Sequence, residues 1–562
     1  MNTCSKFIAL AVMAACAAAP MAVRAQSAQE LIDAGKNADN VPVQGMGYHL
    51  RNYSPLNQIN KSNVKRLVPV WAISLQNNYG ETAQPTIYNG VMYVVNATQT
   101  FAIDVATGQQ LWRTEVSWPP ETAAQACCGV TARGTATIYN GKLYRITLDN
   151  HVLALDMKTG KEVWKQKFAD HKEGYTATAA PVIANGVVIT GMAGGEYTTR
   201  GFLNGWDPET GKHLWRTYTV PAPGEKGSET WPKDDAWKTG GAPTWRSGAY
   251  DPELDLIYWG TGNPAPWTPQ SRNALDGLYA STLLAIRPKT GEIVWHYQYT
   301  PNDVWDVDGT DEPVLADITF EGKPRKVLFQ MNKSGFMYTI DRTNGQLLAA
   351  HPFTRVNWAS HIDLKTGRPV VNQELYKQIY DGVEVSVYPQ RGVNAVPIAY
   401  NPNKNLIYTS SWNIPRIFKV ELPIPQQVIG KRSTGVISRA YVPKPGEVVG
   451  HHIAIDPVTG KKKWEIPLTD RASSAGMLAT GGGLLFTGDV NGKFIALDED
   501  TGKTLWEFQT SSGINATAIT YTHKGRQYVS IASGIGGNSA RAMARGKVPL
   551  GGSMWTFAVM PD

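Results

Sequence analysis

A short pattern recurs along the chain: a small residue, an apolar residue, Asp, a turn that reaches Gly, and a strand that carries Trp. It runs from Ala102-Ile103-Asp104 to Gly108 and Trp112, and from Ala154-Leu155-Asp156 to Gly160 and Trp164. It returns from Ala454-Ile455-Asp456 to Gly460 and Trp464, and from Ala496-Leu497-Asp498 to Gly502 and Trp506. Weaker copies are Asp207, Gly211 and Trp215; Arg287, Gly291 and Trp295; and Asp341 with Gly345, where Ala349 stands in place of Trp. Each copy reads as a hairpin in which Asp caps the turn, Gly takes a positive φ and Trp enters the packing. Asp-to-Asp steps of 52, 51 and 42 residues suit units of four short strands. Larger gaps, such as 345 to 454, imply insertions or worn copies.

Repeated units of this kind bury their apolar faces only by stacking on one another. We therefore expect an all-β chain, an eight-bladed β-propeller of Trp-docking repeats, forming one domain over residues 26–562. A stack of β-sandwiches is the alternative, but it gives no reason for Trp at a fixed spacing. Val68-Pro69-Val70-Trp71 lacks a preceding hairpin and is expected to pair with the strand of Trp555 to Val559, closing the ring. The abundance of Gly (54), Trp (18) and Tyr (24) suits short strands and tight turns.

Residues 1–25 read as an export signal: Lys6, an apolar run from Phe7 to Ala19, and Val23-Arg24-Ala25 before Gln26. The run is too short and too rich in alanine for a permanent membrane span. Its removal lowers the formal charge from +7 to +5, and no basic run suggests nucleic acid. Lipid attachment at Cys16 is a weaker alternative, because Met13 fits poorly where Leu is usual. Cys4 and Cys16 leave with the signal, so the mature, periplasmic chain keeps Cys127 and Cys128.

Ala126-Cys-Cys-Gly129 followed by Arg133, Gly194-Gly-Glu-Tyr197, Gly241-Ala-Pro-Thr-Trp245, Gly260-Thr-Gly-Asn-Pro264 and Trp305-Asp-Val-Asp308 follow one another in that order. In this the chain resembles the quinoprotein alcohol dehydrogenases, the family of methanol and ethanol dehydrogenases that use pyrroloquinoline quinone (PQQ). Adjacent α-carbons lie ~3.8 Å apart, below the ~4.4–6.8 Å usual for a disulfide, so a Cys127–Cys128 bridge would be a strained small ring. The resemblance implies that the bridge lies against one face of the quinone and Trp245 against the other. It further implies polar contacts from Glu81, Arg133, Thr147, Lys333 and Asn394. Arg133 and Lys333 suit a cofactor with carboxylates and a reactive carbonyl pair.

The resemblance gives the metal to Glu196, Asn263 and Asp306, with Asp306 also the catalytic base. Oxygen ligands suit a hard cation and not zinc. Asp306 and Asp308 stand at i and i+2, which in a strand-like segment points both carboxylates the same way. The family's calcium enzymes commonly carry a small or neutral residue at the second position, and its lanthanide-dependent members resemble this chain in having Asp. Three carboxylates also match a trivalent ion better than Ca²⁺. A lanthanide is therefore expected, with Ca²⁺ the alternative, and a turn-capping Asp308 is the bland reading. His451-His452 reads as structural. Ala395, and Arg471-Ala-Ser-Ser474, replace segments where relatives often carry Trp, which points to an altered substrate pocket or entry.

The implied reaction oxidises a small alcohol to its aldehyde. Electrons pass to a separate soluble cytochrome c, because no Cys-x-x-Cys-His occurs in the chain. No Gly-x-Gly-x-x-Gly opens a βαβ unit, which argues against nicotinamide. Stable membrane insertion is not expected, and a homodimer stays open. The rivals are a non-catalytic propeller of the outer-membrane assembly type and a quinoprotein dehydrogenase for sugars or polyols.

Overall fold

Asp104 shows how each repeat folds. Its Oδ1 accepts the N–H groups of Ala106 (3.0 Å) and Thr107 (2.9 Å) and the Thr107 hydroxyl (2.9 Å), and Gly108 then turns at φ +73°. Asp156, Asp207 and Asp498 accept corresponding backbone bonds in their own turns. The computed structural model describes residues 26–127, 129–130, 132–469, 475–536 and 548–561. The export signal, Cys128 with its bridge to Cys127, and Arg471 to Ser474 lie outside the described residues.

Among the described residues, eight sheets that each hold four antiparallel strands succeed one another, and the all-β expectation is met. The first comprises Thr86–Tyr88, Val91–Val95, Gln99–Asp104 and Gln110–Glu115. In the last, Leu67–Ser74 pairs with Ser553–Val559, placing Val68 opposite Ala558 and Trp71 opposite Thr556. The N-terminal strand thus joins the C-terminal sheet, as its lone Trp71 suggested. Tyr53–Ser54 adds a short parallel edge to the sheet of Leu478–Thr480.

The gap between Gly345 and Asp456 holds an insertion: a hairpin of Ala359–Asp363 and Arg368–Val371, the helix Gln373–Tyr380, and a sheet of Val385–Val387, Arg416–Val420 and Val436–Arg439. Asn372 caps that helix by accepting Leu375 N–H, and Leu375 and Ile379 form its buried side. Among the described residues no helix is long and apolar enough to cross a membrane.

Neighbouring sheets are coupled by tryptophan. Trp71 donates its indole N–H to Val105 O at 2.9 Å and covers Gly108, whose missing Cβ would lie 2.8 Å from the ring. Trp112 lies over Gly160, Trp164 over Gly211, Trp215 over Gly291, Trp295 over Gly345, and Trp464 over Gly502. The copy with Ala349 is completed two residues later: His351 covers Gly460 and its Nε2 lies 3.0 Å from Val458 O. Residues i and i+2 of a strand share a face, so the docking side chain can move by two and keep its direction.

Glycine is required at these turns for two reasons, positive φ and the indole above. Gly322 also has positive φ (+75°) but nothing lies within 4 Å of its missing Cβ. Gly322→Ala should therefore cost about 1 kcal/mol from the left-handed backbone alone. Gly108→Ala should cost a further ~1–3 kcal/mol through overpacking against Trp71. Thermal unfolding midpoints should rank wild type, Gly322→Ala and Gly108→Ala in falling order. Equal midpoints for the two variants would remove the docking contact from the stability of the fold.

Candidate functional site

The loop after strand Ile293–Gln298 folds around one buried acid. Asp303 accepts the Ser281 hydroxyl (2.7 Å) and the backbone N–H groups of Trp305 (2.9 Å), Val307 (3.1 Å) and Asp308 (3.2 Å). These donors curl the backbone, so Asp306 and Asp308 take φ of +56° and +55°. The expected strand-like geometry is therefore corrected: the segment is an irregular loop, because its N–H groups converge on Asp303 instead of meeting a neighbouring strand. Trp305 and Val307 still turn into the core, and Asp306 and Asp308 into a cavity. Arg272, also buried, fixes the loop from behind by donating to Asp303 O at 3.0 Å. Nothing about Asp303 or Arg272 stands out in sequence; only the position of Asp303 three residues before Asp306 could have marked it.

Lys333 sits on the turn between Lys323–Met331 and Phe336–Asp341. Its Nζ lies 3.0 Å from Asp306 Oδ2 and 2.9 Å from Asp308 Oδ2. Arg416, the first residue of an insertion strand, also contacts Asp306 Oδ2. Burial would raise the Asp306 carboxyl, but the charges of Arg416 and Lys333 hold it below the usual carboxylate range. Burial disfavours the Lys333 ammonium, yet Asp306 and Asp308 together raise it above its ordinary value. Asp308 Oδ1 accepts Asn263 N–H at 2.7 Å. It is bound to that amide and to Lys333, and does not cap the Gly309-Thr310 turn. The role of Arg416 is also unmarked in sequence, since 110 residues separate it from Asp306.

A cavity of about 380 Å³ gathers Cys127, Arg133, Glu196, Trp245, Asp306, Asp308, Lys333 and Asn394, which are eight of the twelve residues expected at the site. The Gly241–Trp245 segment runs between two others, through Thr244 N–H to Met192 O (2.9 Å) and Gly262 N–H to Pro243 O (2.7 Å). The Arg133 guanidinium lies 4.7 Å from the Trp245 ring centroid, flat cation against flat ring. Glu196 stands on the short turn Gly195–Tyr197, whose Tyr197 hydroxyl donates to Ala124 O beside the cysteine segment.

Three expected residues do not line the cavity. Asn263 is buried one step behind it, donating its backbone N–H to Asp308 and its side-chain amide to Pro264 O. Thr147 is used inside its own turn, where its hydroxyl donates to Asp149 at 2.5 Å. Glu81 is enclosed by Asn77 and Asn96, and burial raises its carboxyl to about 8. His452 is structural, as expected: it is buried beside the Ser410 hydroxyl (2.9 Å), and burial lowers it to about 4.

The wall suits a flat, multiply anionic group. Among the described residues it carries seven cations, Lys333 and the arginines at 133, 246, 391, 416, 432 and 439, against four carboxylates. Among the described residues, buried Arg246 Nε, Trp267 Nε1, Thr178 Oγ1 and Asn515 Oδ1 line it without a hydrogen-bond partner. Such groups are costly unless a ligand meets them. The metal donors fit in kind, being oxygen alone. Among the described residues, however, no three His, Cys, Asp or Glu side chains are gathered as a metal cluster, and the cation between Asp306 and Asp308 is the Lys333 ammonium.

The family model for the glucose/ethanol/alcohol dehydrogenase PQQ β-propeller domain matches residues 43–352 and 450–529. The quinoprotein alcohol dehydrogenase PedH of Pseudomonas putida KT2440 is 37% identical, over 97% of this chain and 95% of its own. The quinohemoprotein alcohol dehydrogenase ADH IIB of Pseudomonas putida is 39% identical, over 93% of this chain and 77% of its own. Among solved structures, a europium-containing methanol dehydrogenase superposes with a TM-score of 0.88 at 33% identity, covering 94% of this chain and all of that one. The quinohemoprotein alcohol dehydrogenase of Comamonas testosteroni gives 0.87 at 33% identity, covering 96% and 84%.

Asp303→Ala should leave three buried N–H donors without their acceptor and cost on the order of 3 kcal/mol. Asp303→Asn, which keeps one acceptor oxygen, should lose about half as much. Denaturant unfolding of both variants checks this, and an Asp303→Ala protein as stable as wild type would sever the loop from its supposed anchor.

Proposed function

The chain belongs to the quinoprotein alcohol dehydrogenases, and on that premise we propose that it oxidises a primary alcohol to the aldehyde in the periplasm, with PQQ and a lanthanide ion. The eight sheets are then eight blades of one ring over residues 26–562, released by removal of the export signal at 1–25. The observation that carries this reading is the convergence of Asp306, Asp308 and Lys333 on a cavity walled by Trp245, Cys127 and Arg133.

When bound, the quinone supplies the acceptor for the two electrons of the alcohol, and the metal ion supplies Lewis acidity. The chain does the rest. Arg133, Arg246 and Lys333 bind the carboxylate-bearing cofactor, Trp245 gives it a flat wall, and Asn394 a polar contact. The resemblance assigns the opposite face of the quinone to Cys127, which lines the cavity, and to its neighbour Cys128. The resemblance assigns Glu81 and Thr147 to the cofactor and Asn263 to the metal set beside Glu196, Asp306 and Asp308. Asp306 Oδ2 is held by Lys333 and Arg416, which leaves Oδ1 to take the hydroxyl proton. In this reading a soluble cytochrome c takes the electrons onward.

Asp306→Ala should keep the absorbance of bound quinone but lose turnover by roughly 10²–10⁴-fold. Full turnover in that variant would remove the base. Asp308→Ala should weaken Tb³⁺ binding, read by sensitised luminescence, by at least about tenfold while Ca²⁺ competition improves. An unchanged order of preference would leave Asp308 outside the metal's selectivity.

A further inference from the structure

Charge is unevenly distributed around the cavity. Asp306 and Asp308 meet Lys333 and Arg416, and Glu312 pairs with Arg246 at 3.0 Å. Residues 388–397 and 413–449 build another part of the wall, and to the lining they contribute Arg391, Arg416, Arg432 and Arg439, the last paired with Glu384 at 2.8 Å, and no acid. This wall begins at the base: Arg416 touches Asp306 and lies 5.1 Å from the Trp267 ring centroid. From there Trp267 N–H donates to Thr434 O at 2.8 Å, and Ser433 N–H donates to Glu196 O at 2.8 Å. The segment bearing Arg432 is thereby strapped across the cavity between Glu196 and Trp267.

Two further observations ask for an anion here. Trp267 is buried, lines the cavity and has no acceptor for its indole N–H among the described residues. Arg432 is exposed, and no described carboxylate pairs with it. Among the described residues the lining holds seven cations and four acids, and of the cations Arg439 is already met by Glu384.

Resting on the alcohol-dehydrogenase reading, we propose that the substrate is itself an anion: a hydroxycarboxylate whose hydroxyl reaches Asp306 while its carboxylate meets Arg432 and Trp267 Nε1. Ala395 also lines the cavity, with only a methyl group as its side chain.

The test uses enzyme loaded with PQQ and La³⁺ and a small dye acceptor, so that docking of a protein partner plays no part. 4-Hydroxybutyrate and 6-hydroxyhexanoate are compared with their neutral amides. At least one acid should exceed its amide in kcat/KM by about tenfold, an advantage that shrinks as salt is added. Arg432→Gln should erase most of the advantage through KM, with kcat for the acid held, and Arg432→Lys should restore it. Equal rates for acids and amides, or a ratio unmoved by Arg432→Gln, overturn the proposal.

If neither acids, amides nor 1-butanol are oxidised, the enzymatic reading fails by itself. Tryptophan-fluorescence titration with 6-hydroxyhexanoate then decides this one. Saturable quenching in wild type that is lost in Arg432→Gln supports an anion site, and identical titrations of the two proteins refute it.

Discussion

The indole laid over the glycine of the next hairpin is the contact on which the other features depend. A four-stranded sheet has two apolar faces and cannot bury both alone. Each Trp spans the interval to its neighbour, removes the turn from water and hydrogen-bonds a carbonyl there, as Trp112 does to Met157 O and Trp464 to Glu499 O. The contact works only if the turn has no Cβ, so glycine and indole specify each other across sequence distances of about one sheet. Trp506 donates in the same way to Leu67 O, at the start of the strand that pairs with the C-terminal one. Sheets held at a fixed spacing and angle present their connecting loops to one place, and the cavity is built from those loops.

The periodic part of this architecture was legible because it repeats. Asp, Gly and Trp recur at constant offsets, and the lone Val68–Trp71 strand could find its partner by elimination. The insertion was foreseen from the missing copies between Gly345 and Asp456. His351 was not, since a docking residue shifted by two keeps its direction in the strand but leaves the motif. The site was legible in its residue types and much less so in its geometry. Asp306 and Asp308 do face one cavity, yet through left-handed backbone that alternation along a strand does not describe. Asp303 and Arg416 escaped notice because their importance lies in contacts: one to the amides of its own loop, the other across 110 residues of chain. Glu81 and Thr147 lie off the wall because each is already engaged by nearer neighbours.

Burying acids is expensive unless each finds a cation or several donors. The loop at 303–308 holds three buried acids, and it divides the means of satisfying them. Asp303 takes the backbone amides and the Ser281 hydroxyl, and burial together with Asp306 and Asp308 raises its carboxyl above the usual value. Those amides are then unavailable to Asp306. Asp308 retains a single one, from Asn263. The two carboxylates that face the cavity must therefore be satisfied by side-chain cations, and Lys333 and Arg416 are placed to do so.

Lys333 and Arg416 face Asp306 and Asp308, and the buried Arg272 stands beside Asp303, so the three acids of this loop meet three cations. Asp306 and Asp308 still present oxygen donors of the kind that a hard cation takes. The arginine wall adjoins this loop: Arg416 touches Asp306, and Ser433, next to Arg432, donates its backbone N–H to Glu196 O at 2.8 Å. The acidic loop and the arginine wall come from distant parts of the chain, so their meeting follows from how the sheets bring the loops together and cannot be read from either segment alone.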